Sequence, residues 1–543
     1  MAMLNQLKEL LKDKENEKCL NIPFVQQLIF ILEQQAKKIE ELEAAIRRLK
    51  GHSAKPDIKP STLENPQENP PDAEDDNESE NKRSCKRKKK PNLPIDKVER
   101  VKAENIPTDS VYKGLKKIII QDLIIKRENT LYELEMWQTP DGKYVCGQLP
   151  PSLQGTDFGP QLTTYILHQY YHCGVTQPKL HEQLQQFGID ISTGQISRIL
   201  TENKDEFHKE QSEILSTALQ SSPYIQTDDT GARHQGKNGY CTFIGNEFFS
   251  YFKSTESKSR INFIELLRGQ YTDYLIDEMA LEYMARQALP SKYMDCLLSS
   301  DTRVFADKPM FETHLIKLNI RANHAIRIIT EGALLGSMFA HGVNKNLSIL
   351  SDDAGQFNIL LHALCWIHAE RNLRKLHCYT PQQESDLEKT VTAFWQLYQQ
   401  AKAYQKNPTE EKAKQIESGF DAMGNFQTQW LALEQALKKL SSNKDELLLV
   451  LKRPEIPLHN NTSERDIREY VTRRKISGST RSEMGRACRD TFASLKKTCG
   501  KLKISFWDFL YDRISNTNAI ENLAVIVKQK LICSPVLALS RSG

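Results

Sequence analysis

The chain has 543 residues and a mass of 62.4 kDa, enough for about three to four folding units. Charged residues at 27%, hydrophobic residues at 39% and a mean hydropathy of −0.56 describe a globular protein with polar extensions. The most apolar run, 332–343, is too short to span a bilayer and contains His341. The net charge of +4 arises from 74 basic and 70 acidic residues, a balance too even to indicate a polyanion partner by itself. The 11 cysteines include no C-x-x-C pair, which fits a reduced compartment and argues against a Cys₄ zinc knuckle. The first residues are charged and lack a signal-peptide core, so a cytoplasmic protein without membrane contact is expected.

Residues 1–50 are read as a coiled-coil segment. Val25, Leu32, Ile39 and Ile46 fall at a positions and Leu28, Gln35, Leu42 and Leu49 at d, with charged flanks. The spacing predicts self-association; an amphipathic helix docked on its own domain is the other reading. Residues 51–95 form a charged linker with seven prolines, too poor in large apolar residues to offset chain entropy. Its basic run, Lys82 to Lys90, can touch DNA phosphates or be a solvated run neutralised by the acidic block before it.

Residues 96–150 read as a small β-rich domain, from the runs Ile118-Ile119-Ile120 and Leu123-Ile124-Ile125 and the turn Thr139-Pro140-Asp141-Gly142. In the helical region 151–215, Leu180, Leu184 and Phe187 space one helix that Gly188 ends. Ser192 or Thr193 caps the next, through Ile196, Ile199 and Leu200. That is the helix-turn-helix outline, which a helical hairpin without DNA shares.

From residue 216 strands appear: 224–228, a hairpin of 240–244 and 248–252, and 346–351. A long helical stretch covers 381–450. Two strand-like runs end in acidic pairs, Asp228-Asp229 and Asp352-Asp353, and Glu464 sits at a helix start behind Asn460. Carboxylates at the ends of adjoining strands converge on one sheet edge, and a third from a helix can close the cluster. Hard oxygen ligands of this kind suit Mg²⁺ or Mn²⁺. Arg465, Arg468, Arg473, Arg474 and Lys475 follow Glu464 closely, in a number that suits a phosphate backbone better than one i,i+4 ion pair from Arg468.

At these residues the chain resembles a known family. The segment Gln226-Thr227-Asp228-Asp229-Thr230-Gly231 is similar to the first motif of the insertion sequence 66 family of DDE transposases. Ser351-Asp352-Asp353-Ala354 resembles the second, and Asn460-Asn461-Thr462-Ser463-Glu464-Arg465 with Arg473-Arg474-Lys475 the third. Cys365, His368 and Arg371 match a C-x-x-H-x-x-R segment, and 174–196 resembles the helical region before the catalytic core. The resemblance implies an α/β core of RNase H-like type over 216–515, with insertions at 254–345 and 381–450 and a tail at 516–543. It implies Asp228, Asp352 and Glu464 as catalytic metal ligands, cleavage and strand transfer of insertion-sequence DNA in the bacterial nucleoid, and accessory proteins of the same element. Cys365, His368 and Arg371 are read as structural or DNA-contacting residues. The chain departs from the family in three ways: only Cys146 stands where a cysteine-rich stretch precedes the core, which argues against zinc; residue 229 is Asp where Glu is favoured; and 254–345 is long. A nuclease or resolvase on the same core, or a non-catalytic DNA-binding regulator, are the rival readings.

Overall fold

A computed structural model describes Gln27, residues 94–105, 107 and 109–533. The expected coiled coil and nearly all of the linker lie outside the described residues. The chain divides into two units, and of the smaller one residues 94–125 are described. Among the described residues of this unit there is no strand: Ile118, Ile120 and Leu123 to Ile125 are exposed in irregular backbone. The only strands described before residue 150 belong to the larger unit, β1 (Met136–Gln138) and β2 (Tyr144–Cys146). They flank the expected turn, which closes with Gly142 N–H on the Thr139 carbonyl at 2.9 Å.

The larger unit continues with α1 (Pro160–Leu167), a π-helical turn at His168–His172, α2 (Gln177–Gln186), α3 (Thr193–Thr201) and α4 (Asp205–Ser221). Gly188, at φ 72°, takes the left-handed conformation that stops α2. Ser192 and Gln195 then form a capping box that starts α3. Leu180, Leu184, Ile196 and Leu200 are fully buried between the two helices and their neighbours, so the helix-turn-helix spacing is realised as packing.

The central sheet has the order β5-β4-β3-β8-β9. Strands β3 (Tyr224–His234), β4 (Lys237–Gly245) and β5 (Ser250–Thr255) are antiparallel; β8 (Ser348–Ser351) and β9 (Leu361–Leu364) run parallel to β3. Between β5 and β8 lie α5 (Arg260–Arg268), β6 (Tyr274–Leu275), α6 (Glu278–Arg286), α7 (Ser291–Leu298), β7 (Val304–Phe305), α8 (Lys308–Lys317) and α9 (Asn323–Ala340). The apolar run in α9 is buried core: Ile328, Ile329, Ala333, Leu334 and Met338 join Ile225, Ile244 and Ile349 from one face of the sheet. Among the described residues no helix is long and apolar enough to cross a membrane.

The helical block after β9 comprises α10 (Trp366–Arg374), α11 (Pro381–Lys406), α12 (Glu410–Gly424), α13 (Leu431–Ser442), α14 (Lys444–Leu447) and α15 (Leu449–Lys452). It has its own core around Trp366, Phe394, Phe420 and Leu433. Then come α16 (Asn461–Ser477), α17 (Glu483–Leu502), α18 (Phe506–Ser515) and α19 (Leu523–Cys533). The expected tail is partly structural. Leu523, Val527 and Leu531 of α19 are buried against α4, and the Leu523 N–H donates to Glu210 at 2.8 Å.

Candidate active site

Strand alternation sorts the first acidic pair. Ile225 faces the α9 side of the sheet, whereas Tyr224 and Phe243 face the other side; Phe243 packs there with Ile467 and Tyr470 of α16. Asp228 lies opposite Phe243 in register, so it shares the α16 face with Tyr224 and Gln226. Asp229 lies opposite Thr242 on the other face and accepts that hydroxyl, and its second oxygen accepts Gln356 Nε2 at 2.9 Å.

Asp352 is brought in by the parallel pair β3–β8, whose last register partners are Gln226 and Leu350. Two residues further along each chain stand Asp228 and Asp352. Asp353 is turned away and paired with Lys439 of α13.

Glu464 is placed by the stitching of α16 to β3. The Asn460 side chain does not cap the helix, as its position suggests; its Nδ2 donates to the Thr227 carbonyl at 2.9 Å, next to Asp228. The Ser463 N–H reaches Gln226 Oε1 at 3.4 Å. The Asn460 N–H donates to Cys365 Sγ at 3.3 Å, and the Trp366 N–H donates to the Leu458 carbonyl at 2.9 Å. Cys365 is buried, and burial pushes its thiol up, away from the thiolate a metal needs. His368 and Arg371, one turn apart on α10, both face Glu464: Arg371 Nη1 donates to Oε1 at 3.1 Å, and His368 Nε2 lies 3.5 Å from it. The C-x-x-H-x-x-R segment therefore acts as one anchor for α16 and two partners for its carboxylate. Arg468, the local i,i+4 candidate, is exposed and makes no ion pair with Glu464.

The electrostatics follow from this placement. Burial pushes the Asp228 carboxyl up from 3.8 to about 7; the Asp229 N–H opposes the shift, and the charges of Asp352, Asp229 and Glu464 add to it. Burial also raises Asp229, opposed by Thr242, Gln356 and Lys258. Among the described residues neither Asp228 nor Asp352 has an ion-pair partner, whereas Glu464 and Asp353 do. Nor do three His, Cys, Asp or Glu side chains already surround one ion position there. In donor chemistry the three carboxylates nonetheless fit a hard divalent cation: all are oxygen donors, Asp228 and Asp352 have no ion-pair partner among the described residues, and the neighbouring negative charges that help raise Asp228 are what a cation would offset.

The basic segment divides. Arg465, Arg468 and Lys475 are exposed. The Arg473 guanidinium lies 4.2 Å from the ring centre of Tyr170, and Arg474 donates to the Gly231 carbonyl. The latter two tie α16 to the π-helical turn and to β3. Thr242, Gln356 and Lys439, which hold the second carboxylate of each acidic pair, carry no signal in the sequence, since their partners lie far away along the chain.

The family model for the Transposase IS66 family matches residues 155–276 and 348–487, covering the helical region, the sheet, the helical block and α16. The chain belongs to this family. The stretch left unmatched between these two segments, 277–347, holds α6 to α9 and overlaps the span 254–345 that looks long in the sequence. An uncharacterized protein, y4jO, of Sinorhizobium fredii is 42% identical over 320 residues, which are 58% of this chain and 100% of that relative. The three acidic segments, 226–231, 351–354 and 460–475, fall inside the matched residues.

Proposed function

We propose that this IS66-family protein is a DNA transposase whose RNase H-like core cleaves a phosphodiester at the element's end and joins the freed 3′-OH to target DNA. The observation that carries the reading is that Asp228 and Asp352 stand two residues beyond the last register pair of β3 and β8, with the start of the helix that bears Glu464 tied by Asn460 to Thr227, next to Asp228. Asp228, Asp352 and Glu464 would hold Mg²⁺ or Mn²⁺. Such an ion supplies charge that acidifies an attacking water or hydroxyl and offsets charge building on the phosphate. Asp228, whose carboxyl burial and the neighbouring carboxylates raise to about 7, would give up its proton to hold such an ion. Arg465, Arg468 and Lys475, exposed along the helix that carries Glu464, bind backbone phosphate and orient the strand. Zinc has no place in this reading, since Cys365 is buried as a helix anchor. Residues 24–50 pair two copies, so that both ends of the element sit in one complex. Accessory proteins of the element, and a site of action at the bacterial nucleoid, belong to the same proposal.

The test incubates the full chain with Mg²⁺ and a duplex carrying its element's end, together with a target plasmid. Cleaved ends and joined products are expected. Asp228→Asn, Asp352→Asn and Glu464→Gln should abolish both while a gel shift persists. Cleavage that survives Asp228→Asn would overturn the assignment; cleavage without any joined product would favour a nuclease.

A further inference from the structure

We propose that His362 and Glu446 are positioning residues that hold the Asp352 end of β8, making the helical block part of the metal site. The inference rests on the assignment of Asp352 as a ligand. Ser351, the last residue of β8, places its hydroxyl 2.8 Å from His362 Nε2, and His362 Nδ1 lies 3.0 Å from Glu446 Oε1. The same hydroxyl donates to the Asp352 carbonyl at 2.6 Å. Asn358 Nδ2 fixes the far end by donating to Glu446 Oε1 at 2.8 Å. The row runs from α14, through β9, to the residue that bears the carboxylate.

Serine, histidine and glutamate linked in this order serve acyl transfer in hydrolases. That use is closed here, because Ser351 is 0% and His362 8% exposed, so no substrate reaches the hydroxyl. With the Ser351 hydroxyl spent on the Asp352 carbonyl, His362 Nε2 donates to Ser351 Oγ and Nδ1 donates to the half-buried Glu446 carboxylate, so each step is bonded when the ring carries both protons. What the row fixes is specific. Beyond Ser351 the chain leaves the sheet, and among the described residues the Asp352 side chain is steadied by the Ala354 N–H alone, at 3.2 Å from Oδ1. The Ser351–His362 contact holds the hydroxyl that grips the Asp352 backbone, and Glu446 holds the ring. Groups that orient a metal's ligands change metal affinity by about 10- to 100-fold when removed.

The test uses Mn²⁺ alone, titrated into the DNA-free full chain and followed by the electron paramagnetic resonance of the free ion. Glu446→Ala is expected to weaken Mn²⁺ binding by about tenfold. Glu446→Gln keeps an acceptor for His362 and should stay within about threefold of the wild type. Ser351→Ala, which leaves the β8 backbone unaltered, should match Glu446→Ala and stands in for it if that variant does not fold. DNA affinity by gel shift should be the same in all of them, which a general loss of structure would not allow. Wild-type Mn²⁺ affinity in Glu446→Ala or Ser351→Ala, or a Gln variant that falls as far as the Ala variant, overturns the proposal. Asp228→Asn separates the two levels. If it abolishes Mn²⁺ binding while Glu446→Ala does not change it, the relay alone is wrong; if it keeps full affinity, the metal site itself is wrong and the relay goes with it.

Discussion

Asp228 should destabilise the protein it serves. The unfolded chain releases this proton near 3.8 and the folded chain only near 7, so the folded state binds more protons across that interval. Stability therefore falls as pH rises from about 4 to about 7, and the full cost, at most about 4 kcal/mol, is present at pH 8. Asp228→Asn keeps the shape and removes the charge. In EDTA the variant should melt higher than the wild type at pH 8, by several degrees, and the gap should close on approaching pH 4. Divalent cation should act in the opposite sense. At a concentration of Mg²⁺ about 100 times its Kd the wild type should gain about 2.7 kcal/mol, and the variant almost nothing. The assay is a set of thermal melts of both chains across pH, with EDTA or Mg²⁺. A melting difference independent of pH, or a variant less stable than the wild type at pH 8 in EDTA, would refute the reasoning.

Asp229→Asn should retain measurable cleavage, because Asp229 faces away from Glu464 and its oxygens are taken by Thr242 and Gln356; a strand-cleavage assay beside Asp228→Asn checks this. Neutralising Arg465, Arg468 and Lys475 together should lower the salt slope of log K for DNA by about 0.9 for each phosphate they no longer neutralise, measured by binding isotherms across salt. Arg473→Gln should instead lower the melting temperature with little change in that slope, since its guanidinium is stacked on Tyr170. Ser192→Ala should cost about 1 kcal/mol by removing the cap of α3, and hydrogen exchange should show the loss concentrated at 193–201.

Local signals are the legible ones. The stop at Gly188 and the restart at Ser192 follow from backbone conformation and a side chain three residues away, and the fold keeps both. Strand β3 is visible from the β-prone residues Tyr224, Ile225 and Thr227, though only to residue 228; its outer half, to His234, exists because β4 pairs with it. Strand β9 has no signal of its own, since Leu361-His362-Ala363-Leu364 is short and lacks a period. The run 118–125 shows the converse, a strong β-propensity in residues that take irregular backbone. At the site, motif spacing identifies the carboxylates but not what holds them. Asn460 has the position of a cap because caps are local, whereas its bond is to Thr227, far back along the chain. Charge density groups Arg473 and Arg474 with their basic neighbours but does not reveal that one lies over a tyrosine ring and the other donates to a backbone carbonyl.

The sheet order has a consequence for how the protein is made. Strand β3 acquires β4 at once, through a tight hairpin, but its other edge waits for β8, which follows only after the whole of α5 to α9. The third carboxylate emerges from the ribosome later still, roughly 240 residues after Asp228. At bacterial to eukaryotic elongation rates that interval is about 10–50 s, during which a half-built sheet presents a bare edge to other chains. A chain cut short before Asn460 would carry α2 and α3 yet lack Glu464. Such a chain would also lack α17 to α19, which pack on α3, α1 and α4, so nonsense alleles in the last part of the gene are expected to yield chains that expose this core and are cleared or aggregate.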